Sequence, residues 1–373
     1  MRILIFNKYC PKHPLAGGAE FRLYEVMKRI ALKGNKVYLV SAIFPGAKRK
    51  EILDGIHIYR IGLRTAYNTL FVHILGVFSM RRWVNRFKPE IIFEDISPLP
   101  WFSPLIVPKN KKVIIMHHLN GKTFFKTQSL IKAAIAYILE KSVFVLYKKE
   151  RIIVINKYLE EKLKNEGFQD MIRIEDGVDT KKYVPNKRIK TRNPTVIFLG
   201  RLDKRKGAHL LLKTYQKVKE SIPNVEYWIA GDGVERKKLE QMAIRIGELG
   251  HGIKFLGFKS GSEKIRIIQK SWLIAVPSLA EGYGLAVLEA NACGVPAIAN
   301  NVPGLSESVI HEKTGILVDC SNTEIFAKRI IEILKDKKKL DKMGGNARKF
   351  ALNYSWDECA EKTLQVLKSA VKD

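Results

Sequence analysis

From residue 195 onward one unit keeps returning in this chain: a short, β-rich apolar run, a Gly/Ser/Asp turn, and a stretch with helical spacing. The runs are TVIFLG, VEYWIAGDG, IKFLGF, WLIAVPS, VPAIANN and GILVD, and none alternates cleanly between apolar and polar residues. A strand with one wet face alternates with period two, whereas a strand covered on both faces is apolar throughout. Continuous apolar strands separated by helices therefore predict a parallel sheet with helices on both sides. The first half repeats the plan with ILIF, KVYLVS, IHIYR, IIFED, KVIIMHH and IIVIN. The expectation is an α/β chain of two Rossmann-like, doubly wound parallel-sheet domains in tandem.

Length supports the division, because 373 residues exceed what one ordinary hydrophobic core organises. The polar, basic stretch NKRIKTRNP, residues 186–194, suits a linker, which places the domain boundary between 186 and 187. At the far end, YSWDECAEKTLQVLKSAV has the apolar spacing of one last helix. The opening MRILIF ends in Asn7-Lys8, too short an apolar run for a signal-peptide core, and reads as a first buried strand. No apolar run is long enough to predict a transmembrane helix. Cys10, Cys293, Cys320 and Cys359 are scattered without metal-ligand spacing, which fits a reduced cytoplasm.

Net charge is +29 and uneven: residues 1–190 carry 36 basic and 16 acidic side chains, against 30 and 21 in the rest. The first half is either simply solvated or faces something anionic. The stretches YNTLFVHILGVFSMRRWV and FFKTQSLIKAAIAYILEKSVFVLYKK mix apolar and cationic residues as helices lying on an anionic bilayer do, and ordinary domain helices with basic faces read the same way. A basic protein also invites a nucleic-acid-binding reading. No zinc finger or RNA-recognition signature supports it, so no nucleic-acid partner is expected.

In open parallel sheets, ligands bind outside the carboxyl ends of the strands, which directs attention to the turns there. LAGGAEF, with Gly17 and Gly18, lets backbone amides approach an anion at a helix start, or is a tight strand–helix turn. The full Gly-x-Gly-x-x-Gly fingerprint of dinucleotide enzymes is absent. His117 and His118 end a strand and point to opposite faces if its geometry persists, so one of them can reach a site. In GRLDKRKG, Arg201 and Lys206 supply two cations beside a helix start, as a diphosphate needs, or form a solvated basic loop. The turn Gly231-Asp232-Gly233 and the segment EGYGLAVLE complete the set. Glu281 can accept hydrogen bonds from substrate hydroxyls. Glu289 lies on or beside the apolar face of a helix, where a carboxylate is costly unless hydrogen-bonded. A vicinal diol such as ribose would satisfy it, as would groups of the protein itself.

Together, GGAE near the start, His117 after a strand, GRLDKRKG, GDG, PSLAEGYGLAVLEANACGVPAIA and VPGLSESVIHEKTGILV resemble, in order, the retaining nucleotide-sugar glycosyltransferases of family 4, or group 1. The resemblance runs over nearly the whole chain, and its most specific element is the pair Glu281 and Glu289 with the surrounding glycines. It implies the GT-B fold, two such domains facing a cleft, with an acceptor-binding domain of residues 1–186 plus a C-terminal helix 356–373 that crosses back, and a donor-binding domain of residues 187–355. It implies that Arg201 and Lys206 hold the donor diphosphate, helped by amides of Gly284, Leu285 and the Gly17-Gly18 loop. Glu289 would bind ribose, Glu281 the hydroxyls of the transferred sugar, and His117 would sit by that sugar, while turns at Gly231-Asp232 and Phe258 flank the base and Gly282 and Tyr283 complete the donor loop. The chain departs from the family at EDGVD, where Asp176 replaces the usual Asn.

The activity so implied is transfer of a hexose with retention, by front-face attack, to a lipid-linked or polysaccharide acceptor. Arg201, Lys206 and helix N-termini would take the place of a divalent metal, no Asp-x-Asp pair is present, and no cofactor beyond the donor is expected. A cytoplasmic enzyme, peripheral on the inner face of the plasma membrane, fits these features. The competing reading within the same fold is a sugar-nucleotide epimerase or a phosphorylase.

Overall fold

A computed structural model of the chain describes residues 1–65, 69–97, 99–121, 123–127 and 129–372. Its contacts gather into two units, Met1–Gly177 with Trp356–Asp373, and Val178–Ser355.

The first unit is built on β1 (Arg2–Phe6), β2 (Lys36–Ala42), β3 (Lys50–Leu53), β4 (Ile56–Ile61), β5 (Ile91–Ile96), β6 (Lys112–Met116), β7 (Arg151–Val154) and β8 (Met171–Arg173). They form one sheet in the order β3-β4-β2-β1-β5-β6-β7-β8, parallel except where β3 pairs antiparallel with β4 at the edge. Every residue of β5 and β6 is buried, as strands covered on both faces require. One face is covered by helices Thr69–Phe87 and Leu130–Leu146, the other by Gly18–Leu32 and the C-terminal helix Trp356–Lys372. The C-terminal helix belongs here because Trp356 meets Phe21 edge to face at 5.9 Å and Asp357 accepts from Arg29 Nε at 2.6 Å.

The second unit contains β9 (Thr195–Leu199), β10 (Glu226–Ala230), β11 (Ile253–Gly257), β12 (Leu273–Val276), β13 (Ala297–Asn300) and β14 (Gly315–Val318), all parallel, in the order β11-β10-β9-β12-β13-β14. The chain winds outward from β9 in one direction and from β12 in the other. The turns after these two neighbouring strands therefore stand side by side at the switch point of the sheet, where a crevice opens at the strands' carboxyl ends.

Two sequence expectations shift. The stretch 186–194 is no linker: Thr191 N–H donates to Lys270 O at 3.0 Å and Trp272 Nε1 donates to Thr191 O at 2.9 Å, so it is packed onto the second unit. The change of unit falls earlier, after Gly177, because Val178 N–H already donates to Tyr354 O at 3.0 Å and Arg348 donates to the carbonyls of Thr180 and Tyr183 at 3.1 and 2.7 Å.

Asp176, of the segment EDGVD, lies 2.8 Å from Arg22 Nε, with both side chains buried, and Arg22 also donates to Ile174 O at 2.9 Å. This pair ties helix Gly18–Leu32 to the segment following β8. Removing one partner strands a charge in a dry interior, whereas removing both does not. Asp176→Ala is accordingly expected to lower unfolding free energy by about 3–5 kcal/mol in a urea titration. Arg22→Leu combined with Asp176→Ala should recover most of that loss.

Candidate functional site

In the second unit the crevice is lined by the turns after β9 and β12. Asp203 caps a short 3₁₀ turn over Lys204–Lys206, its Oδ1 accepting from Lys206 N–H at 3.0 Å. Gly207 follows with φ +73°, and a Cβ there would stand 2.1 Å from Pro277 O, so only glycine lets the two turns approach. Leu279 N–H donates to Arg205 O at 2.8 Å and completes the seam. Across it Lys206 Nζ donates to Glu281 Oε1 at 2.5 Å, and Ser278 Oγ donates to the same oxygen at 2.9 Å. Burial pushes the Glu281 carboxyl up, but the charge and hydrogen bond of Lys206, with Ser278, outweigh it and hold the group below the usual glutamate value.

Arg201, in the same turn as Lys206, is exposed, and its approach to Asp203 is a loose 3.9 Å. Beyond Glu281, Gly284 stands at the N-cap of helix Leu285–Ala292 with φ +91°. A Cβ on it would come within 2.8 Å of Leu305 Cδ2. Val287 N–H donates to Gly284 O at 2.8 Å, while the amides before it have no carbonyl one turn back, and the helix dipole places positive potential there.

Helix Leu285–Ala292 is buried from Val287 to Ala292, Glu289 included. Its carboxylate is met by the protein: Oε1 accepts from Tyr183 Oη at 3.0 Å and from Lys264 Nζ at 2.5 Å. A ligand is therefore not needed to explain this burial, and since both contacts land on Oε1, the other oxygen is not committed by them. Burial, and then the charge of Glu289, push the Tyr183 phenol far above its ordinary range, so it stays a donor. Gly231 follows β10 and its N–H donates to Gly257 O at 2.8 Å. Asp232 accepts from Gly233 N–H at 2.8 Å and lies 3.3 Å from Arg236, while Phe258, after β11, is 75% exposed. These three sit after strands one and two places from β9, whereas the turns bearing Arg201, Lys206 and Glu281 are adjacent.

In the first unit, Gly17 caps helix Gly18–Leu32, but its N–H donates to Glu20 Oε2 at 2.7 Å. One of the two glycine amides that the sequence offers to an anion is thus committed, to a buried carboxylate. His117 follows β6 and is buried, Nε2 lying 3.1 and 3.2 Å from the two oxygens of Asp95 on the neighbouring β5. Donation from Nε2–H to this acceptor-only group fixes the tautomer and leaves Nδ1 as the second functional nitrogen. His118 is half-buried.

Sequence reading missed Asp95, Tyr183, Lys264 and Ser278. For Asp95 a signal exists: IIFEDI places two carboxylates in an otherwise apolar strand. They point to opposite faces, and Glu94 is satisfied by Tyr147 Oη at 2.6 Å, Trp101 N–H at 2.7 Å and Ser103. Nothing in the sequence ties Tyr183 or Lys264 to Glu289.

Compared with known proteins, residues 16–182 match the model "Glycosyltransferase Family 4" and residues 179–350 match "Glycosyl transferases group 1". A D-inositol 3-phosphate glycosyltransferase of Corynebacterium urealyticum is 28% identical over 240 residues, 58% of this chain and 56% of that protein, so the chain spans little more than half of that relative. Among solved structures, a sucrose-phosphate synthase from Thermosynechococcus elongatus superposes with a TM-score of 0.84 at 20% identity, over 99% of this chain and 98% of its own. Anabaena HepE in complex with UDP-glucose superposes with a TM-score of 0.74 at 20% identity, over 99% and 100%.

A carboxyl whose folded value is depressed contributes stability that is complete above its unfolded value, about 4.3 for glutamate, and is lost as pH falls through the folded one. Glu281→Gln is therefore expected to lower stability at pH 7 and to make it less sensitive to acid. Urea unfolding of both forms at neutral pH and at a series of values below about 4.3 checks this.

Proposed function

Because this chain is a glycosyltransferase of the GT-B fold, we propose that it moves a hexose from a nucleoside-diphosphate sugar, with retention of configuration, to a lipid-linked or polysaccharide acceptor. The observation that carries the donor half is the meeting of Arg201, Lys206, Glu281 and the N-terminus of helix Leu285–Ala292 around the crevice between β9 and β12. A departing nucleoside diphosphate gains negative charge as the glycosidic bond breaks, and fixed positive groups aimed at it lower that barrier. Exposed Arg201 takes the outer phosphate oxygens, and Lys206 is held ready by Glu281 and shares its charge with the diphosphate. Helix amides of Gly284 and Leu285 complete the cradle, so the charge is met without a metal ion.

Glu281, fixed by Lys206 and Ser278, faces the sugar's hydroxyls with its remaining acceptor capacity. Glu289 accepts from the ribose diol through the oxygen that Tyr183 and Lys264 leave to it. Phe258 offers an exposed ring for the base. In the first unit the family resemblance assigns the sugar and reacting centre to His117, which Asp95 orients through Nε2. The acceptor attacks from the face that the diphosphate leaves, and a donor phosphate oxygen takes its proton. HepE, solved with UDP-glucose, supports a donor of this class, and the D-inositol 3-phosphate enzyme supports a hydroxyl acceptor.

The test is a thermal-shift and calorimetric screen of UDP-, GDP-, ADP- and dTDP-sugars without added metal, on wild type and Glu289→Ala. One donor should bind saturably, and the variant should lose about 1.5–3 kcal/mol, the usual worth of a hydrogen bond to a charged group. Comparison of the free proteins' melting separates this loss from the unpairing of Lys264. No binding by any donor overturns the reading. Epimerisation of the bound donor without acceptor, or dependence on free phosphate, reassigns the reaction.

A further inference from the structure

The two helices on one face of the first sheet have outward sides that the transferase chemistry does not use. On β5, Ile92 shares an apolar cluster with Val72 and Met80 of helix Thr69–Phe87. Ile96, on the same side of that strand, shares one with Val143 and Phe144 of helix Leu130–Leu146. Both helices therefore turn their other sides away from the sheet in the same general direction.

Those sides are apolar. Along helix Leu130–Leu146, Ile131, Ile135, Ile138 and Val145 follow at helical spacing and form one stripe, and Ile131, Ile138 and Val145 are 75%, 66% and 77% exposed. Lys132 and Lys141, also exposed, fall on opposite flanks of the stripe at about 100° per residue. The helix's one carboxylate, Glu140, is turned inward, where it accepts the N–H groups of Asn120 and Gly121 at 2.7 Å each. Helix Thr69–Phe87 presents Phe71, Ile74 and Phe78, the last 84% exposed, followed on the same side by exposed Arg82. The exposed charged residues of the two helices, Arg81, Arg82, Arg86, Lys132 and Lys141, are all cationic.

We propose that this face docks on a lipid bilayer carrying anionic headgroups. Isolated exposed leucines or isoleucines are ordinary on a protein surface, but a contiguous stripe of large side chains is not. The stripe runs along the helix axis and is flanked by cations, which suits a helix lying in the interface with its apolar side among the acyl chains and its lysines at headgroup level. A protein partner would carry a mosaic of both signs, whereas a face stripped of carboxylates matches a uniformly negative plane. No described helix is long and apolar enough to cross the membrane, so the contact is lateral. The proposal stands on this surface alone, and its failure would leave the donor reading untouched.

The full chain is sedimented with vesicles of phosphatidylcholine and with vesicles of phosphatidylcholine mixed with phosphatidylglycerol, at low and high salt. Binding to the anionic vesicles is expected, weakened by salt and little seen on phosphatidylcholine. Ile131→Glu with Ile138→Glu should lower the partition at least about tenfold, and Lys132→Glu with Lys141→Glu should remove the preference for anionic lipid, with thermal unfolding unchanged in both. Equal partition of wild type and the isoleucine variant overturns the proposal, as does absence of binding to either vesicle. A dimer in light scattering that the isoleucine variant dissociates, without vesicle binding, would assign the face to a second copy of the chain instead.

Discussion

A parallel strand covered by helices on both faces has nowhere to put an unpaired polar group except at its end. Its own amides and carbonyls are consumed by its neighbours, and its side chains enter two dry layers. In β5 this constraint is visible within two residues. Glu94 is fully buried and is tolerated because three donors converge on it, while Asp95, one step closer to the carboxyl end, meets a histidine instead. The first arrangement holds the sheet to Trp101 and Tyr147, and the second faces the neighbouring strand's end. Chemistry collects at strand ends because charge is inexpensive there.

The same constraint explains why acidic groups of the second unit come with cations already attached. Glu281 and Glu289 lie in and beside a helix that is buried along most of its length, where an isolated carboxylate would either take a proton or destabilise the fold. Lys206 and Lys264 supply the partners that such carboxylates need. Each pair is part buried and keeps acceptor capacity, so it serves stability and remains able to engage a polar ligand. Asp176 with Arg22 is the contrasting case, buried more completely and tied into one helix and one chain segment.

Most of this fold was legible in the sequence because buried parallel strands announce themselves as unbroken apolar runs. The strands that escaped are those that break the rule: β3, an antiparallel edge of four residues with half-exposed side chains, and β8, three residues long. The turns of the site were legible for a similar reason, since Gly207 and Gly284 stand where no other residue fits and the charged residues beside them are local in sequence. Their partners were not. Tyr183 meets Glu289 across 106 positions, and Asp95 meets His117 across 22, distances over which neither propensity nor spacing carries information. The misplaced linker has the same origin: a polar, basic composition describes how a segment meets water, and says nothing of carbonyls such as Lys270 O that its backbone finds.

The distribution of charge follows from what each unit must neutralise locally. In the second unit the cations of interest are few and are held individually, Lys206 by Glu281 and Lys264 by Glu289, because a small anion such as a diphosphate is recognised by geometry at a few ångströms. Residues 97–149 of the first unit carry nine lysines and one acidic residue, and two of the lysines, Lys132 and Lys141, lie on a helix whose apolar side is open to water. An excess of like charge of this kind repels itself, and an extended anionic surface would relieve that repulsion. Such a surface would act over a Debye length of about 8 Å at physiological salt and would need no fixed geometry, so lysines flanking a stripe would suffice for it, whereas a diphosphate calls for a cation such as Lys206 held to within hydrogen-bond distance.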